Sequence, residues 1–295
     1  MPDKIKVSVI SVIIVTWNSL DEIISCIYSI INNQNKSDSE IELIVVDNNS
    51  SDDTKEKLEQ IKKEFHDKII LIYNKENLGF TKACNQGIEI STGDNILLLN
   101  PDTEIVNNAI GKMADKLNSE VSIGAVAPKL LNEDGSIQKS CRTFPEYSDM
   151  FFEMTLLSKL FPKSKMFSRW KMNYFDYDTE CKVEQPMAAA LMIKKGVLEN
   201  IDNFDERYKM FFNDVDICKK IYDSGKSIIF YPDAEVIHIK GVSIYKDRVK
   251  MIRTWNKDCA EYFKKYHNNI ILFNLLKAGL AISGAVRILL YKLTK

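Results

Sequence analysis

The sequence predicts an α/β fold in which a mostly parallel central sheet is flanked by helices, and three observations lead there. Short apolar runs at Val7 to Val15, Ile41 to Val46, Ile69 to Tyr73 and Asn95 to Leu99 read as strands buried on both faces. Between them lie stretches whose apolar residues recur at helical spacing, the alternation of βαβ units. With 295 residues, 45% of them hydrophobic and 27% charged, the chain can bury a large core of ordinary globular composition.

Taken in order, Val7 to Val15 follows Lys4 and Lys6 and superficially imitates a secretory signal. It continues into Thr16-Trp17-Asn18 and the acids Asp21 and Glu22 without a small-residue cleavage site, so it reads as the first strand. A helix from about Leu20 to Asn33 carries Ile23, Ile24, Ile27, Ile30 and Ile31 on one side. The second strand ends in Asp47-Asn48-Asn49-Ser50-Ser51-Asp52-Asp53-Thr54, whose Ser/Asp cluster caps a charged helix from about Asp53 to Phe65. After the third strand, Asn77-Leu78-Gly79-Phe80 opens a helix through Ile90, and Ser91-Thr92-Gly93-Asp94 turns the chain into the fourth strand.

Ile105 to Leu117 is predicted as a helix and Ile123 to Leu131 as a strand. Residues 132–184 are polar, aromatic and weakly periodic, which suits either a mobile flap over a binding site or an excursion packed by its own aromatics. Regular pattern resumes at Met187 to Ile193, then in a helix with Asp214 at its start. Strands follow at Ile228 to Tyr231 and from Ala234 through His238 to Ser243.

The net charge of -1 conceals an asymmetry. Residues 246–295 hold eleven Lys/Arg against three acids, a net of +8, which leaves -9 for residues 1–245. A basic tail on an acidic body points to an anionic surface as partner. The six cysteines are scattered without a C-x-x-C pair, as suits reduced thiols in a cytoplasmic protein.

The fourth strand stops at Asn100-Pro101-Asp102. In open α/β sheets ligands lie beyond the carboxyl ends of the strands, so Asp102 is placed to ligate a hard cation such as Mg²⁺ or Mn²⁺. The same three residues also suit an ordinary capping turn. A dinucleotide site is excluded on detail: Thr16-Trp17-Asn18-Ser19 after the first strand holds no glycine, where G-x-G-x-x-G would be needed. The missing Gly-rich loop also argues against a nucleotidyltransferase.

Six motifs in order carry a resemblance. They are Val12-Ile13-Ile14-Val15-Thr16-Trp17-Asn18, Val45-Val46-Asp47-Asn48-Asn49-Ser50, Asn77-Leu78-Gly79-Phe80 with Asn85-Gln86-Gly87, Leu99-Asn100-Pro101-Asp102, Asn213-Asp214-Val215-Asp216, and His238 with Gly241 and Ser243. Over about residues 7–245 the chain resembles family 2 of the inverting, nucleotide-sugar-dependent glycosyltransferases with the GT-A fold, and within it the rhamnosyltransferase-type enzymes of bacterial polysaccharide assembly.

The resemblance implies roles. Thr16, Asn18, Asp47, Asn49, Asn77, Gly79, Phe80, Asn85 and Asn100 would line the nucleotide-sugar site. Asp102 would bind both the donor and a Mg²⁺ or Mn²⁺ ion, with His238 completing the metal site, and Asp214 would be the catalytic base. Arg142, Ala188, Ala189 and Asn213 would form the sugar and acceptor pocket. The chain departs from the family pattern in having Asn100 in place of the first acid of D-x-D, Asn213 in place of the first acid of the Glu-Asp pair, and Ala188 where many relatives carry Gly.

The expected organisation is a glycosyltransferase domain over residues 1–245 and a basic helical tail over residues 246–295. Val249, Ile252, Trp255, Cys259, Tyr262, Phe263 and Tyr266 form one stripe of an amphipathic helix. Ile270 to Tyr291 is apolar but interrupted by Lys277 and Arg287, which favours a segment lying on the cytoplasmic leaflet over one that spans it. Packing of the tail on the enzyme's own core, or in a homodimer interface, is the competing expectation. The implied partners are a dTDP- or UDP-sugar, a lipid-linked saccharide acceptor and an anionic membrane surface, with no nucleic acid. A UDP-hexose donor, or a catalytically silent protein that keeps nucleotide-sugar binding at the membrane, are the rival readings.

Overall fold

The structure is a computed structural model and describes residues 8–34, 39–65, 68–239 and 248–294. Gly241 and Ser243 of the last motif, and Lys246 and Asp247 at the start of the tail, lie outside the described residues.

The first half alternates as the sequence predicts: β1 (Val9–Thr16), α1 (Leu20–Gln34), β2 (Glu40–Asp47), α2 (Thr54–Phe65), β3 (Ile69–Tyr73), α3 (Phe80–Ile90) and β4 (Asn95–Leu99). After Asn-Pro-Asp the chain forms a short strand, β5 (Thr103–Ile105), and only then α4 (Ala109–Ser119). The helix expected from Ile105 therefore starts four residues later. Ile105 is spent on the sheet, where it pairs with Val236.

Next come β6 (Ile123–Leu131), β7 (Cys141–Arg142), α5 (Tyr147–Met154), α6 (Leu157–Leu160), β8 (Cys181–Val183), β9 (Gln185–Pro186) and β10 (Ala190–Lys194). The chain continues through α7 (Lys195–Asn200), α8 (Asn213–Asp223), β11 (Ser227–His238), α9 (Arg248–Tyr266) and α10 (Ile270–Leu293). The two strands expected at Ile228 to Tyr231 and from Ala234 are one strand, β11. Its register against β6 shifts between Tyr231 and Glu235, where Pro232 cannot donate to the ladder.

Among the described residues, nine strands form one mixed sheet in the order β3-β2-β1-β4-β10-β6-β11-β5, with β8 also on β11. Only β10, β8 and β5 run antiparallel to their neighbours. The carboxyl ends of β1, β2, β4, β6 and β11 and the start of β10 consequently share one edge.

Alternation along β1 builds three layers. Ile10, Val12 and Ile14 face a core that includes Ile23 and Ile27 of α1, Leu58 of α2 and Met113 of α4. Ile13 and Val15 face the other, with Cys84 and Ile88 of α3, Ile217 and Ile221 of α8, and Tyr262 and Phe263 of α9. Gly87 lets α3 sit close: a Cβ there would come within 2.6 Å of Ile13 Cγ2. Phe144, Met150 and Tyr177, from the weakly periodic middle, are buried in the second core. That segment is a packed excursion joined to the sheet by β8.

The tail divides. Helix α9 turns Cys259, Tyr262 and Phe263 into the second core, so its apolar stripe is satisfied by the protein itself. Helix α10 buries only Leu276, Leu280 and Gly284, and it is long and apolar enough to cross a membrane.

Candidate active site

Thr16 and Asp47 are registered partners at the ends of β1 and β2, both fully buried. Asp47 Oδ1 accepts from the Ser50 amide at 3.0 Å and faces Lys55 Nζ at 3.7 Å. Asp47 Oδ2 and Thr16 Oγ1 have no hydrogen-bond partner among the described residues. A buried polar atom without a partner costs about 1–3 kcal/mol, and two such atoms side by side at the ligand edge of a sheet form a cradle for a polar group from outside.

The loops around this cradle are tied together by asparagines. Asn18 Oδ1 accepts from the Ser51 amide at 2.7 Å, and Lys55 Nζ reaches Asn49 Oδ1 at 3.4 Å. Buried Asn48, a residue that the sequence reading did not single out, donates to Asn77 Oδ1 and the Gly79 carbonyl and accepts from the Leu78 amide. Gly79 has φ +89°, a backbone conformation open to glycine. Two expected pocket residues are occupied elsewhere. Asn85 exchanges hydrogen bonds with the backbone of Phe204, donating to its carbonyl and accepting from its amide, both at 3.0 Å. Phe80 packs edge-on against the Phe204 ring with centroids 6.4 Å apart.

At the end of β4, the Asn100 amide donates to the Ala189 carbonyl at 2.9 Å, which joins the Asn-Pro-Asp turn to the small residues that lead into β10. Asp102 meets the end of β11, its carbonyl accepting from the Ile239 amide at 2.8 Å, with Thr103 paired to His238. His238 Nε2 lies 3.4 Å from Asp102 Oδ1.

The His238 tautomer follows from its other contacts. Gln138 Nε2 donates to the His238 carbonyl and to Asn132 Oδ1, which makes Gln138 Oε1 the acceptor that faces His238 Nδ1 at 2.6 Å. In the neutral ring Nδ1 therefore carries the hydrogen, and Nε2 offers its lone pair toward Asp102. Among the described residues no group of three or more His, Cys, Asp or Glu side chains could hold a metal ion. One carboxylate and one imidazole suit a hard divalent cation that takes its remaining ligands from phosphate oxygens and water.

Asp214 stands in the first turn of α8. Its Oδ1 accepts from the Val215 amide at 2.9 Å and its Oδ2 from Gln185 Nε2 at 3.0 Å. Burial raises its pKa above the ordinary carboxylate range, opposed by the Val215 amide and the charge of Arg142. Gln185 is buried in β9, whose partner strand carries Arg142 opposite it; Arg142 lies over the Trp170 ring at 5.1 Å. Asn213 turns away from the carboxylate and donates to the Met210 carbonyl at 2.8 Å. Gln185 is three residues before Ala188, so the Asp214 cluster and the Asp102 turn meet through residues 185–189.

The turn before α8 is held from the tail. Fully buried Asp258 of α9 accepts from the Phe211 amide at 3.0 Å and the Met210 amide at 3.4 Å. Phe212 has φ +59°, a strained position for a bulky residue, and its ring packs on Trp255 and Tyr262. Lys265 and Tyr266 of α9 bind Asp216 Oδ1 at 2.6 and 2.8 Å. Gln138, Gln185 and Asp258 carry no signal in sequence, since each gains its role only when distant segments meet.

The six cysteines are free, five of them buried. Burial pushes Cys26 and Cys141 up to about 12, so those thiols stay protonated at neutral pH.

The model of Glycosyl transferase family 2 matches residues 11–177. The N-acetylglucosaminyl-diphospho-decaprenol L-rhamnosyltransferase of Mycobacterium tuberculosis is 23% identical over 239 residues, covering 77% of this chain and 76% of that protein. The GalNAc(5)-diNAcBac-PP-undecaprenol beta-1,3-glucosyltransferase of Campylobacter jejuni is 25% identical over 279 residues, covering 86% and 80%. Among solved structures, GalNAc-T7 with UDP, GalNAc and Mn²⁺ superposes with a TM-score of 0.59 at 15% identity, over 94% of this chain and 55% of that one. This last likeness bears on the fold alone.

Proposed function

The chain belongs to glycosyl transferase family 2, and on that premise we propose that it transfers rhamnose from dTDP-rhamnose to a hydroxyl of a growing, lipid-linked cell-surface polysaccharide, with inversion at the anomeric carbon. Two observations support the reading: the orphaned Thr16 and Asp47 atoms stand with the Asp102–His238 pair at the carboxyl edge of the sheet, and the half-buried Asp214 carboxylate is held by Gln185, five residues before β10. The Mycobacterium tuberculosis relative, named as an L-rhamnosyltransferase of a diphospho-decaprenol-linked sugar, supports the sugar and the carrier. A UDP-hexose donor is the second reading, favoured by the glucosyltransferase relative. We place the reaction at the cytoplasmic face of the cell membrane, carried out by residues 1–245 together with α9, with α10 directed toward the lipid.

In this mechanism Asp47 and Thr16 hold the nucleoside, and Asn18, Asn49, Asn77 and Gly79 shape the loops around it. Asp102 and His238 would hold Mg²⁺ or Mn²⁺, which when bound offsets the charge growing on the departing diphosphate. Asp214 accepts the proton of the acceptor hydroxyl while the oxygen bonds to the anomeric carbon from the face opposite the diphosphate, which leaves with the electron pair of the broken bond. Gln185 orients the Asp214 carboxylate, and Arg142, Ala188, Ala189 and Asn213 wall the sugar and acceptor.

The test is donor turnover and thermal shift across dTDP- and UDP-sugars with Mn²⁺, Mg²⁺ or EDTA. One donor should raise the Tm only with metal, and Asp102→Ala should abolish that rise. Asp214→Asn should bind the donor yet lose about 10²- to 10⁴-fold in kcat. Because burial raises the Asp214 pKa, the base is lost as pH falls through that raised value, so the acid limb should lie above that of an ordinary aspartate. If no nucleotide sugar shifts the Tm under any condition, the assignment fails; binding without turnover by the wild type points to a silent protein.

A further inference from the structure

Helix α10 is apolar on both of its sides. The inner side is fixed along its length. Leu276, Leu280 and Gly284 are buried, and Asn256 Nδ2 donates to the Leu280 carbonyl at 2.7 Å. Arg287 donates to Asn256 Oδ1 at 2.9 Å and lies 5.6 Å from the Trp255 ring centroid. A Cβ on Gly279 would come within 2.8 Å of Met154 Sδ at the end of α5, so α5 is seated against the same helix.

The outer side carries Ile271, Leu275, Ile282, Val286, Leu289 and Leu293. At 100° per residue these fall within about 60° of arc, and Leu275, Ile282, Leu289 and Leu293 are 63%, 67%, 58% and 73% exposed. A helix on the surface of a water-soluble body places charge there. Beside α10, the chain leaves α5 through Leu156, at φ +63°, and exposes Leu156, Leu160, Phe161 and Met166. Residues 156–166 contain Lys159, Lys163 and Lys165 and no acid; residues 270–295 contain Lys277, Arg287, Lys292 and Lys295 and no acid.

We propose that the outer face of α10 and the outcrop of residues 156–166 form one docking surface for an anionic lipid bilayer, with α10 lying in the plane of the leaflet rather than crossing it. Apolar side chains rimmed by cations with no acid match the acyl and headgroup layers of such a leaflet. A second copy would instead bring two acid-free cationic faces together. Crossing would strip Leu276 and Leu280 of their partners and carry Arg287 into hydrocarbon away from Asn256. The proposal refines the membrane placement above, and its test does not depend on turnover. Since α9 both seats α10 and holds the turn before Asp214, docking would set the active site at a fixed height over the leaflet.

The experiment is flotation of the full chain with vesicles of phosphatidylcholine alone or mixed with phosphatidylglycerol. The wild type should float with the anionic vesicles and be released by alkaline carbonate. Ile282→Asp and Leu289→Asp should each weaken partitioning about tenfold at unchanged Tm, as should Leu160→Asp. Exchanging Lys159, Lys163 and Lys165 together for Gln should lower binding to anionic vesicles. A wild type that does not float, resists carbonate extraction, or forms a lipid-free dimer dispersed by Ile282→Asp would overturn the proposal. Asp102→Ala and Asp214→Asn should float like the wild type, so that flotation without turnover sinks only the transferase reading and turnover without flotation sinks only the docking surface.

Discussion

The chemistry proposed for Asp102 depends on a residue that touches neither donor nor acceptor. Gln138 turns His238 so that Nε2 faces Asp102, using three hydrogen bonds from one amide. Outer partners of this kind are worth about 10- to 100-fold in metal affinity. Gln138→Leu should therefore weaken Mn²⁺ binding in the presence of nucleoside diphosphate by that factor, read by calorimetry, while the far-ultraviolet dichroism stays native. An unchanged Mn²⁺ affinity would mean that His238 is no ligand. Thr16, Asp47, Asp102, Asp214 and His238 could be picked from the sequence because they end strands or begin a helix next to recognisable motifs. Gln138 and Gln185 could not, since glutamines in a weakly periodic stretch look alike until the strands pair. Asn85 shows the converse: its motif is legible, yet the structure spends its amide on Phe204.

Among the elements, α9 has the least expected relation to the site. Its stripe of Trp255, Cys259, Tyr262 and Phe263 reads equally well as a membrane face or a core face, because periodicity reports only that one side is apolar. The structure assigns it to the core and adds a polar task, with Asp258 satisfying two amides of the turn that carries Phe212 toward Asp214. Asp258→Ala leaves both amides unsatisfied and should cost about 1–3 kcal/mol of stability. It should also lower kcat about tenfold with little change in KM. Asp258→Asn should restore most of kcat, since Oδ1 has no partner to lose and the amide oxygen can replace Oδ2. An equal loss for both variants, confined to stability, would show that the turn does not position Asp214. The late start of α4 and the unbroken β11 are misreadings of one kind, in which local pattern missed that β5 and β11 complete each other's ladder.

For the whole molecule, the division between body and tail expected near residue 246 is answered differently by the two helices. Removing residues 268–295 takes away α10, whose buried contribution is limited to Leu276, Leu280 and Gly284, and should leave a folded chain that binds donor. Removing residues 248–295 also uncovers the core around Phe212 and unpairs the Met210 and Phe211 amides. That shorter chain should lose its cooperative thermal transition by circular dichroism, and a sharp native-like melt would show the body to be independent of α9. By itself the sequence determined the alternating strands and helices, the edge on which the acids stand and the family, because apolar period, turn residues and strand-end motifs are local properties. The tertiary structure decided which helix face meets protein and which is left bare, which glutamine holds His238 and which holds Asp214, and that Asp258 ties down the turn before Asp214. Those outcomes depend on contacts between segments as far as a hundred or more residues apart, such as Gln138 with His238, and local pattern carries no record of them.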